Sequence, residues 1–582
     1  MGAYGDIVNL LPFIAWLKTY KKGYLVRDLI AGITIAVVLI PQSMSYAMIA
    51  GIPPVYGLYA AALPPIIAAL WGRSSLLATG PVAMVSLLVF TSVIPFEKPG
   101  SPNFISIAIT LALLVGAIQI LMGVFRLGFL MRFVSHPVIV GFTNAAAIII
   151  AATQVKHVLG IDVEGSEFIF QLFLEIGRNL GDTNPYTLGV GILSFIIIIA
   201  GRKIHENFPG AMVASISTGA LVYLAGLSDL GVKIVGEIPA GLPSPTLTLV
   251  GFETTARLVG PAMVIAIIGF MEALAITKTV SKQIHEKVDV NQELIGQGAA
   301  NFVGYFFGAY PVSGSFSRTA VNLQIGGKTA LSNVFSGLAV VITLLFFTSA
   351  FYYLPNATLA AIVMSAVIGL VKHTQFIKLF KTNKVDGVVA LVTFVFAFIT
   401  KPDYAIFIGI AVSLMLFLWA SMSPRVVVLA RNPKTEIFEN AETSHLPTCP
   451  QILFARPDSS IYFANAEYLV EDILKKINAK PTSLKYVLLD MEAVNHIDAT
   501  GVDELTSLLS EIKERGLELH FANIKKPVKE VLTNSTFIKL LEHTCCLDSK
   551  GDSIAMLFET LDHDFCKNKC PYQVFEECAA VK

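Results

Sequence analysis

Charged residues are scarce in this sequence, and their scarcity excludes an ordinary soluble protein. Only 14% of the 582 residues are Asp, Glu, Lys or Arg, whereas 54% are hydrophobic and the mean hydropathy is +0.68. A soluble chain of this length needs a more polar surface, so the composition predicts a polytopic protein of the lipid bilayer. The formal net charge is zero, so no overall field favours a nucleic-acid partner.

Cysteine is absent from the whole chain before Cys449. This distribution argues against a disulfide scaffold and fits a reducing compartment. Half of the cysteines lie in the tail at 563–582, but their spacing there matches no zinc finger. The sequence therefore favours free or redox-active thiols, and the alternative is a zinc site. The six are Cys449, Cys545, Cys546, Cys566, Cys570 and Cys578.

Recognisable enzyme motifs are missing as well. The sequence contains no phosphate-binding loop, no metal-binding helix motif and no nucleophile elbow. We therefore expect a protein that is not an enzyme and that needs no cofactor.

Long apolar runs are what the sequence does contain. A membrane span needs about 20 apolar residues, fewer where a helix is broken. Residues 28–422 are predicted to form a transmembrane domain, preceded by a cytoplasmic segment at 1–27 without a cleavable signal peptide. Short amphipathic helices are predicted at 6–17 and, at the membrane interface, at 166–180. The fourteen predicted spans are 29–50, 55–71, 79–94, 104–123, 136–157, 186–201, 208–226, 255–280, 290–308, 314–326, 331–353, 355–371, 386–400 and 403–421.

Positive charges collect in alternate loops, as expected for loops on the cytoplasmic side. The other loops hold fewer cations among many acidic residues. Both termini are therefore predicted in the cytoplasm, with the chain in the cell (inner) membrane. The predicted inner loops contain Arg73, Arg126, Arg132, Arg202, Lys203, Lys282, Lys287, Lys328, Lys372, Lys378, Lys381 and Lys384.

Two short runs occupy matching places in the two halves of the chain. The third span begins at Thr79-Gly80-Pro81 and the tenth at Ser313-Gly314-Ser315. With seven spans in each half the second half is inverted, so the two short helices enter from opposite faces and meet near the middle of the membrane. Such interrupted segments point to a transporter binding site. The alternative is that Gly80 and Pro81 mark only a loop.

A permanent cation, Arg318, follows serines and a glycine at the start of the tenth span. A charge in the hydrocarbon is costly unless it faces a protein interior or a cavity, so it indicates a functional site. Helix N-termini add free N–H donors and the positive end of the helix dipole, which favours an anion. The alternative is an extramembrane turn with Arg318 among the lipid headgroups.

Polar residues in the first and eighth spans point to the same place. Pro41 breaks the first helix and frees a carbonyl, and Gln42 and Tyr46 follow it. Glu272 lies in the apolar eighth span, which corresponds to the first span in the inverted repeat. A carboxyl group there can carry a proton. The alternative is a static ion pair between Glu272 and Arg318 that only holds helices together.

The string IPQSMSYAMIAGIPPVYGLY at Ile40 to Tyr59 resembles the signature of the sulfate permease (SulP) family, which includes prestin. The Thr-Gly-Pro entry to the third span and the Ser-Gly-Ser-Phe-Ser-Arg entry to the tenth add to this resemblance. It implies a seven-plus-seven inverted repeat with a core domain, spans 1–4 and 8–11, and a gate domain, spans 5–7 and 12–14.

The resemblance also implies a function. Family members move sulfate, bicarbonate, chloride, oxalate or dicarboxylates by elevator-type alternating access, and a homodimer is expected. Carried over to this sequence, the substrate-binding residues are Gln42, Tyr46, Val82, Ala83, Ser315, Phe316, Ser317 and Arg318, and the proton-coupling residue is Glu272.

One departure from a branch of the family bears on the coupling ion. The sodium-coupled bicarbonate branch has an aspartate at the Glu272 position and threonines where this chain has Ile276 and Phe316. Sodium would lose two oxygen ligands here, and a hard cation requires oxygens. The departure therefore favours symport of an anion with protons over sodium coupling. Sulfate is the substrate most often assigned in the family that the chain resembles, and bicarbonate and dicarboxylates are the alternatives.

The polar C-terminal part is predicted as a linker at 423–447 and a small α/β domain at 448–562 that resembles the STAS domain. A hairpin of 451–456 with 461–463, a strand at 485–491 and a helix from Thr500 are expected. Asp498-Ala499-Thr500-Gly501 resembles the loop in which STAS anti-sigma-factor antagonists are phosphorylated, which makes Thr500 a possible regulatory residue. The alternative is that Thr500 only caps the helix.

Three classes of function fit these features: a secondary active anion transporter, an uncoupled anion channel or uniporter, and a membrane-anchored signalling protein. A channel has no need of a membrane carboxylate opposite an arginine. A signalling role leaves Arg318, Glu272 and the paired short helices unexplained. The transporter is therefore the prediction.

Overall fold

The computed structural model describes residues 12–18, 20–163, 169–204, 208–245, 247–248, 250–535, 537, 546–547 and 549–581. The chain divides into two units, residues 1–413 and 414–582. Of the amphipathic helix predicted at 6–17, the part before residue 12 lies outside the described residues; the remainder is helix α1, Pro12–Lys18.

Helices of the first unit follow the predicted apolar runs, because each run is long enough to form a helix and is bounded by Gly, Pro or polar residues. Each of the fourteen predicted spans contains one, and most ends agree within a few residues. In chain order the elements are α2 Leu25–Ile49, α3 Pro54–Trp71, β1 Thr79–Gly80, α4 Ala83–Val93, α5 Pro102–Val124, α6 His136–Leu159, α7 Ile169–Arg178, α8 Pro185–Ile204, α9 Gly210–Leu224, α10 Phe252–Ile284, α11 Val290–Phe306, β2 Ser313–Gly314, α12 Phe316–Ile325, α13 Leu331–Phe346, α14 Asn356–Ile368, α15 His373–Thr382, α16 Lys384–Ile399 and α17 Pro402–Met422.

The helices of this unit differ in length. Within the described residues, eight are long and apolar enough to cross a membrane. By contrast, α4 has 11 residues and α12 has 10. At 1.5 Å per residue, a helix of that length spans about half of a hydrocarbon layer of about 30 Å. Both are therefore half-helices, as their short apolar runs predict.

Close helix contacts in this unit depend on glycine. A Cβ atom on Gly116 of α5 would lie 2.5 Å from the backbone nitrogen of Phe302 in α11. Conversely, a Cβ on Gly298 of α11 would lie 2.7 Å from the backbone nitrogen of Ile120. Small residues at such positions let two membrane helices pack backbone to backbone.

Two amphipathic helices accompany the spans. The interfacial helix predicted at 166–180 is α7, of which residues 169–178 are helical. Helix α15 was not predicted: its lysines were assigned to an inner loop, although Phe376 and Phe380 alternate with them at helical spacing. The lysines alone therefore led to the wrong prediction of a loop where the chain forms a helix.

The second unit contains a six-stranded sheet within the described residues, in the order β4-β3-β5-β6-β7-β8. Strands β5 to β8 are parallel, and β3 is antiparallel to both of its neighbours. One face packs against α18, α19 and α20, and the other against α21 and the C-terminal tail. The elements are β3 Val426–Arg431, β4 Phe438–Asn440, β5 Ile452–Pro457, α18 Ala466–Asn478, β6 Tyr486–Asp490, α19 Ala499–Glu514, β7 Glu518–Ala522, α20 Lys526–Thr533, β8 Cys546–Leu547, α21 Lys550–Glu559 and α22 His563–Asn568.

Two expectations for this unit are wrong. The segment predicted as a linker at 423–447 contains β3 and β4, and β3 is buried between β4 and β5. The predicted hairpin does not form, because β5 pairs with β3 and β6, while Ile461 bridges Ile497 in parallel. Both errors concern pairing between segments distant in sequence, which local alternation of residues does not specify.

Candidate functional site

The two half-helices are held end to end by a short strand pair. Thr79 of β1 pairs with Gly314 of β2, and Gly80 pairs with Ser313. The backbone N–H of Ser315 extends the pairing by donating to the carbonyl of Ala78 at 2.8 Å. The first turns of α4 and α12 therefore begin on either side of one two-stranded crossing.

Gly80 is required at this crossing for its lack of a side chain. Its φ of +150° is rarely adopted by other residues, and a Cβ there would lie 3.2 Å from Nη2 of Arg318. On the partner strand, a Cβ on Gly314 would lie 3.0 Å from Cα of Ala273. The alternative in which Gly80 and Pro81 mark only a loop is therefore wrong, since Gly80 lies in β1 against Arg318.

Buried amides hold the crossing in place. Oδ1 of Asn301 accepts a hydrogen bond from the backbone N–H of Val312 at 2.7 Å, and its Nδ2 lies 3.0 Å from Oε1 of Gln119. Nε2 of Gln297 donates to the hydroxyl of Thr79 at 2.8 Å. Two residues of α11 thus hold the strand pair in place: Gln297 through Thr79 of β1, and Asn301 through Val312, which directly precedes β2.

Replacing Asn301 with alanine is expected to destabilise the first unit without removing any residue of the cavity described below. The buried N–H of Val312 would lose its acceptor, a loss that costs about 1–3 kcal/mol. Thermal unfolding of the purified protein in detergent measures the effect. The matched control is Asn103→Ala, because Asn103 is exposed and, among the described residues, its side chain bonds to Glu97 alone. Equal melting temperatures for the two variants would contradict the assigned role.

The first-turn N–H groups of both half-helices are available as donors. The N-cap residues are Val82 for α4 and Ser315 for α12, and in the described structure neither accepts a first-turn N–H through its side chain. The hydroxyl of Ser315 lies instead 3.3 Å from that of Ser317. Two sets of free N–H donors and two positive dipole ends therefore converge on one place, which suits an anion.

A cavity of about 570 Å³ adjoins these helix ends. It combines residues of the half-helices with residues of α2, α6, α10 and α14. The predicted site residues that line it are Gln42, Tyr46, Val82, Ala83, Glu272, Ser315, Phe316 and Ser317. The structure thus brings together residues that lie far apart in the sequence.

Arg318 is placed differently from the prediction. It is fully buried, with 0% of its surface exposed, and does not line the cavity. Its Nη1 donates to the carbonyl of Pro81 at 3.0 Å, and its Nε and Nη2 have no hydrogen-bond partner among the described residues. Arg318 therefore supplies positive charge from behind the strand crossing and joins the two half-helices. Because none of its surface is exposed, the alternative in which Arg318 lies among lipid headgroups is excluded.

Glu272 borders the cavity from α10. Its Oε2 is buried without a hydrogen-bond partner, and within the described part of the chain no ion pair joins it to Arg318. The static ion pair considered from the sequence is therefore not formed. Gln42 lines the same cavity, and its Oε1 has no hydrogen-bond partner among the described residues; a 180° rotation of its amide would present the NH₂ group instead.

Sequence reasoning missed residues that line the other side of the cavity. Arg202 and Lys372 were predicted only as cations of cytoplasmic loops, which indicate the orientation of the chain in the membrane. Both residues nevertheless border the cavity. The sequence did offer one indication of this placement. Both cations lie at the ends of apolar runs, and a cation at a helix end can face either solvent or a cavity. Phe142 and Thr143 also line it and had no signal beyond belonging to an apolar run.

Thr500 lies in the second unit, exposed in the first turn of α19. The cap of this helix is Asp498, whose Oδ1 accepts the N–H of Gly501 at 2.8 Å. The alternative in which Thr500 caps the helix is therefore wrong, and its hydroxyl stays free of that role.

A family model described as the sulfate permease family matches residues 25–393, and a model of the STAS domain matches residues 444–549. The chain is 35% identical to sulfate transporter 4.1, chloroplastic, of Arabidopsis thaliana over 554 residues, which cover 92% of this chain and 80% of that protein. It is 34% identical to sulfate transporter 1.3 of the same plant over 560 residues, which cover 92% of this chain and 85% of the relative.

Solved structures show the same architecture. The inward-facing structure of murine Solute Carrier 26 family member A9, an anion transporter, has a TM-score of 0.88 and 25% identity, covering 96% of this chain and 95% of that one. The transmembrane domain of the cyanobacterium bicarbonate transporter BicA has a TM-score of 0.59 and 23% identity, covering 68% of this chain and 98% of that one. The second likeness concerns the fold alone.

Proposed function

Because the chain belongs to the sulfate permease family and carries a STAS domain, we propose that it takes up sulfate by symport with protons. It is a multi-pass membrane protein of a transporter family, and its curated relatives carry the names of sulfate transporters.

The observation that carries the proposal is the convergence of two uncapped helix N-termini on one cavity with Arg318 behind them. A sulfate dianion presents four acceptor oxygens and no donor. The free N–H groups of α4 and α12 and the hydroxyls of Ser315 and Ser317 offer donors that match it. The charge of Arg318 compensates the dianion across the strand crossing.

Glu272 supplies the coupling in this scheme. As a carboxylate at the cavity it repels sulfate, whereas as a carboxylic acid it does not. Proton binding and sulfate binding therefore favour each other, and each raises the affinity for the other by the same factor. If the carrier crosses the membrane only with both ligands bound or with neither, an inward proton gradient then drives sulfate uptake.

Sodium coupling is less well supported by the residues at the cavity. Ile276 and Phe316 both line it, and neither offers an oxygen ligand. Bicarbonate or dicarboxylate transport, with or without sodium, and an uncoupled uniporter remain as alternatives that the experiment below separates.

The cavity is shared by two sets of helices, which suits alternating access of the elevator kind. One wall comes from α2, α4, α10 and α12, and the other from α6 and the ends of α8 and α14. Movement of the first set against the second would carry the anion across the membrane. Arg202 and Lys372 lie in predicted cytoplasmic loops, so we assign the cavity to an inward-facing state.

Location, assembly and regulation belong to the same proposal. We place the chain in the cell (inner) membrane as a homodimer with both termini in the cytoplasm, since loop cations favour that orientation. The exposed hydroxyl of Thr500 is accessible to a protein kinase that would regulate the STAS domain.

Uptake into proteoliposomes tests the function. Labelled sulfate and, separately, bicarbonate are supplied with and without an inward proton gradient and with sodium present or absent. We expect sulfate uptake to rise several-fold with the proton gradient and to be unchanged by sodium. Protein-free liposomes are the control. Sodium-driven bicarbonate uptake would overturn both the substrate and the coupling ion, and uptake that responds to neither gradient would support a uniporter.

A further inference from the structure

Four cysteines of the second unit line one small cavity, although they come from both ends of the domain. Cys449 precedes β5, and the other three follow α21 in the C-terminal tail. The cavity has a volume of about 10 Å³, enough for a single water-sized occupant. The four are Cys449, Cys566, Cys570 and Cys578, which are not disulfide-bonded.

Cys449 is held in a setting that suits a metal ligand. It is buried, and the backbone N–H groups of Gln451 and Ile452 face its sulfur. The same two donors would stabilise the sulfur once a metal replaced its proton.

The side chain of Gln451 fixes the start of the tail beside Cys449. Its Nε2 lies 3.2 Å from the sulfur of Cys566 and donates to the carbonyl of Asp562 at 3.1 Å. Its Oε1 accepts the backbone N–H of Asp562 at 3.0 Å. A single amide thus positions one tail cysteine next to a cysteine more than a hundred residues earlier.

The other two thiols have room to adjust. Cys570 and Cys578 are only half-buried, and Cys570 follows the last helical turn of α22 in irregular backbone. Its sulfur contacts the carbonyl of Tyr572 at 3.6 Å, a weak interaction. An ion pair of 2.9 Å between Arg431 and Glu576 anchors the segment between them to β3.

The simpler explanation treats the thiols as small apolar side chains of a core. It accounts for Cys449 and Cys566, which are buried in the cluster on this face of the sheet, and for Cys578, which is partly buried against that cluster. It does not account for Cys570, which lines the same cavity in a chain that has no cysteine before residue 449. Thiols gathered in this way are a ligand set for a thiophilic metal.

We propose that Cys449, Cys566, Cys570 and Cys578 bind one Zn²⁺ ion and thereby fasten the C-terminal tail to the sheet. Each thiol releases its proton to solvent as its sulfur binds. In the part of the chain that the structure describes, no group of three or more Cys, His, Asp or Glu side chains is arranged to hold a metal ion. Binding therefore requires Cys570 and Cys578 to rotate inward. The small cavity favours a single ion over an iron–sulfur cluster.

Metal content of the full-length protein tests the proposal. The chain is purified in detergent with a reductant, stripped with a chelator, incubated with Zn²⁺, desalted and analysed by mass spectrometry for zinc. We expect about one zinc per chain, and almost none for the double variant Cys570→Ser/Cys578→Ser. The matched control is Lys569→Ser, which changes an exposed tail residue and keeps all four thiols.

A second measurement does not depend on a variant that folds. Alkylation of the wild-type chain, read peptide by peptide, is expected to slow at Cys570 and Cys578 when Zn²⁺ is added and to recover when it is chelated. Unchanged alkylation, or equal zinc in the double variant and the control, would overturn the site. Iron and acid-labile sulfide in place of zinc would overturn the assignment of the metal.

Discussion

Replacing Arg318 with glutamine is expected to weaken sulfate binding by about 10- to 150-fold, since an interaction with a charged group contributes about 1.5–3 kcal/mol. The buried guanidinium is the positive charge next to the crossing of the two half-helices, and it donates to the carbonyl of Pro81. Glutamine keeps a donor but removes the charge. Equilibrium binding of labelled sulfate to the purified protein measures the loss.

The matched control is Arg318→Lys, which keeps the charge on a flexible side chain. It should retain more of the affinity than Arg318→Gln does. Because Arg318 is fully buried, the elution profile and melting temperature of each variant show whether the fold survives. Wild-type affinity in a folded Arg318→Gln protein would remove Arg318 from the site.

Replacing Glu272 with glutamine is expected to abolish sulfate uptake driven by a proton gradient while leaving exchange of sulfate for sulfate intact. Glutamine imitates the protonated carboxyl group, so the cavity keeps its shape and its affinity for the dianion but can no longer release a proton. Uptake and exchange are measured in the same proteoliposomes, with and without an inward proton gradient.

The control for Glu272 lies on the same helix. Glu253→Gln removes the carboxylate of an exposed Glu253–Arg257 pair at the start of α10 and should leave both activities unchanged. Loss of exchange together with uptake in Glu272→Gln would indicate a structural role. Gradient-driven uptake that persists would place the proton on another group.

Much of the site could be predicted because its residues carry local signals. The Gly-Pro and Ser-Gly-Ser entries mark two short helices, and a glutamate within an apolar span is conspicuous on its own. Gln42, Tyr46 and Glu272 do line the cavity with the half-helix residues. Arg318 was predicted as the positive charge of the site; its side chain turns to the carbonyl of Pro81 and does not itself line the cavity.

The sequence by itself determined the elements: apolar runs bounded by Gly, Pro and charge set the positions of the membrane helices, since burial in lipid depends on local composition. Only the tertiary structure decided which residues meet. The placement of Arg202 and Lys372 at the cavity, the pairing of β3 and β4 with the sheet, and the meeting of Cys449 with three tail cysteines all join segments far apart in the chain. Such contacts arise from packing between elements, and no local pattern of residues specifies them.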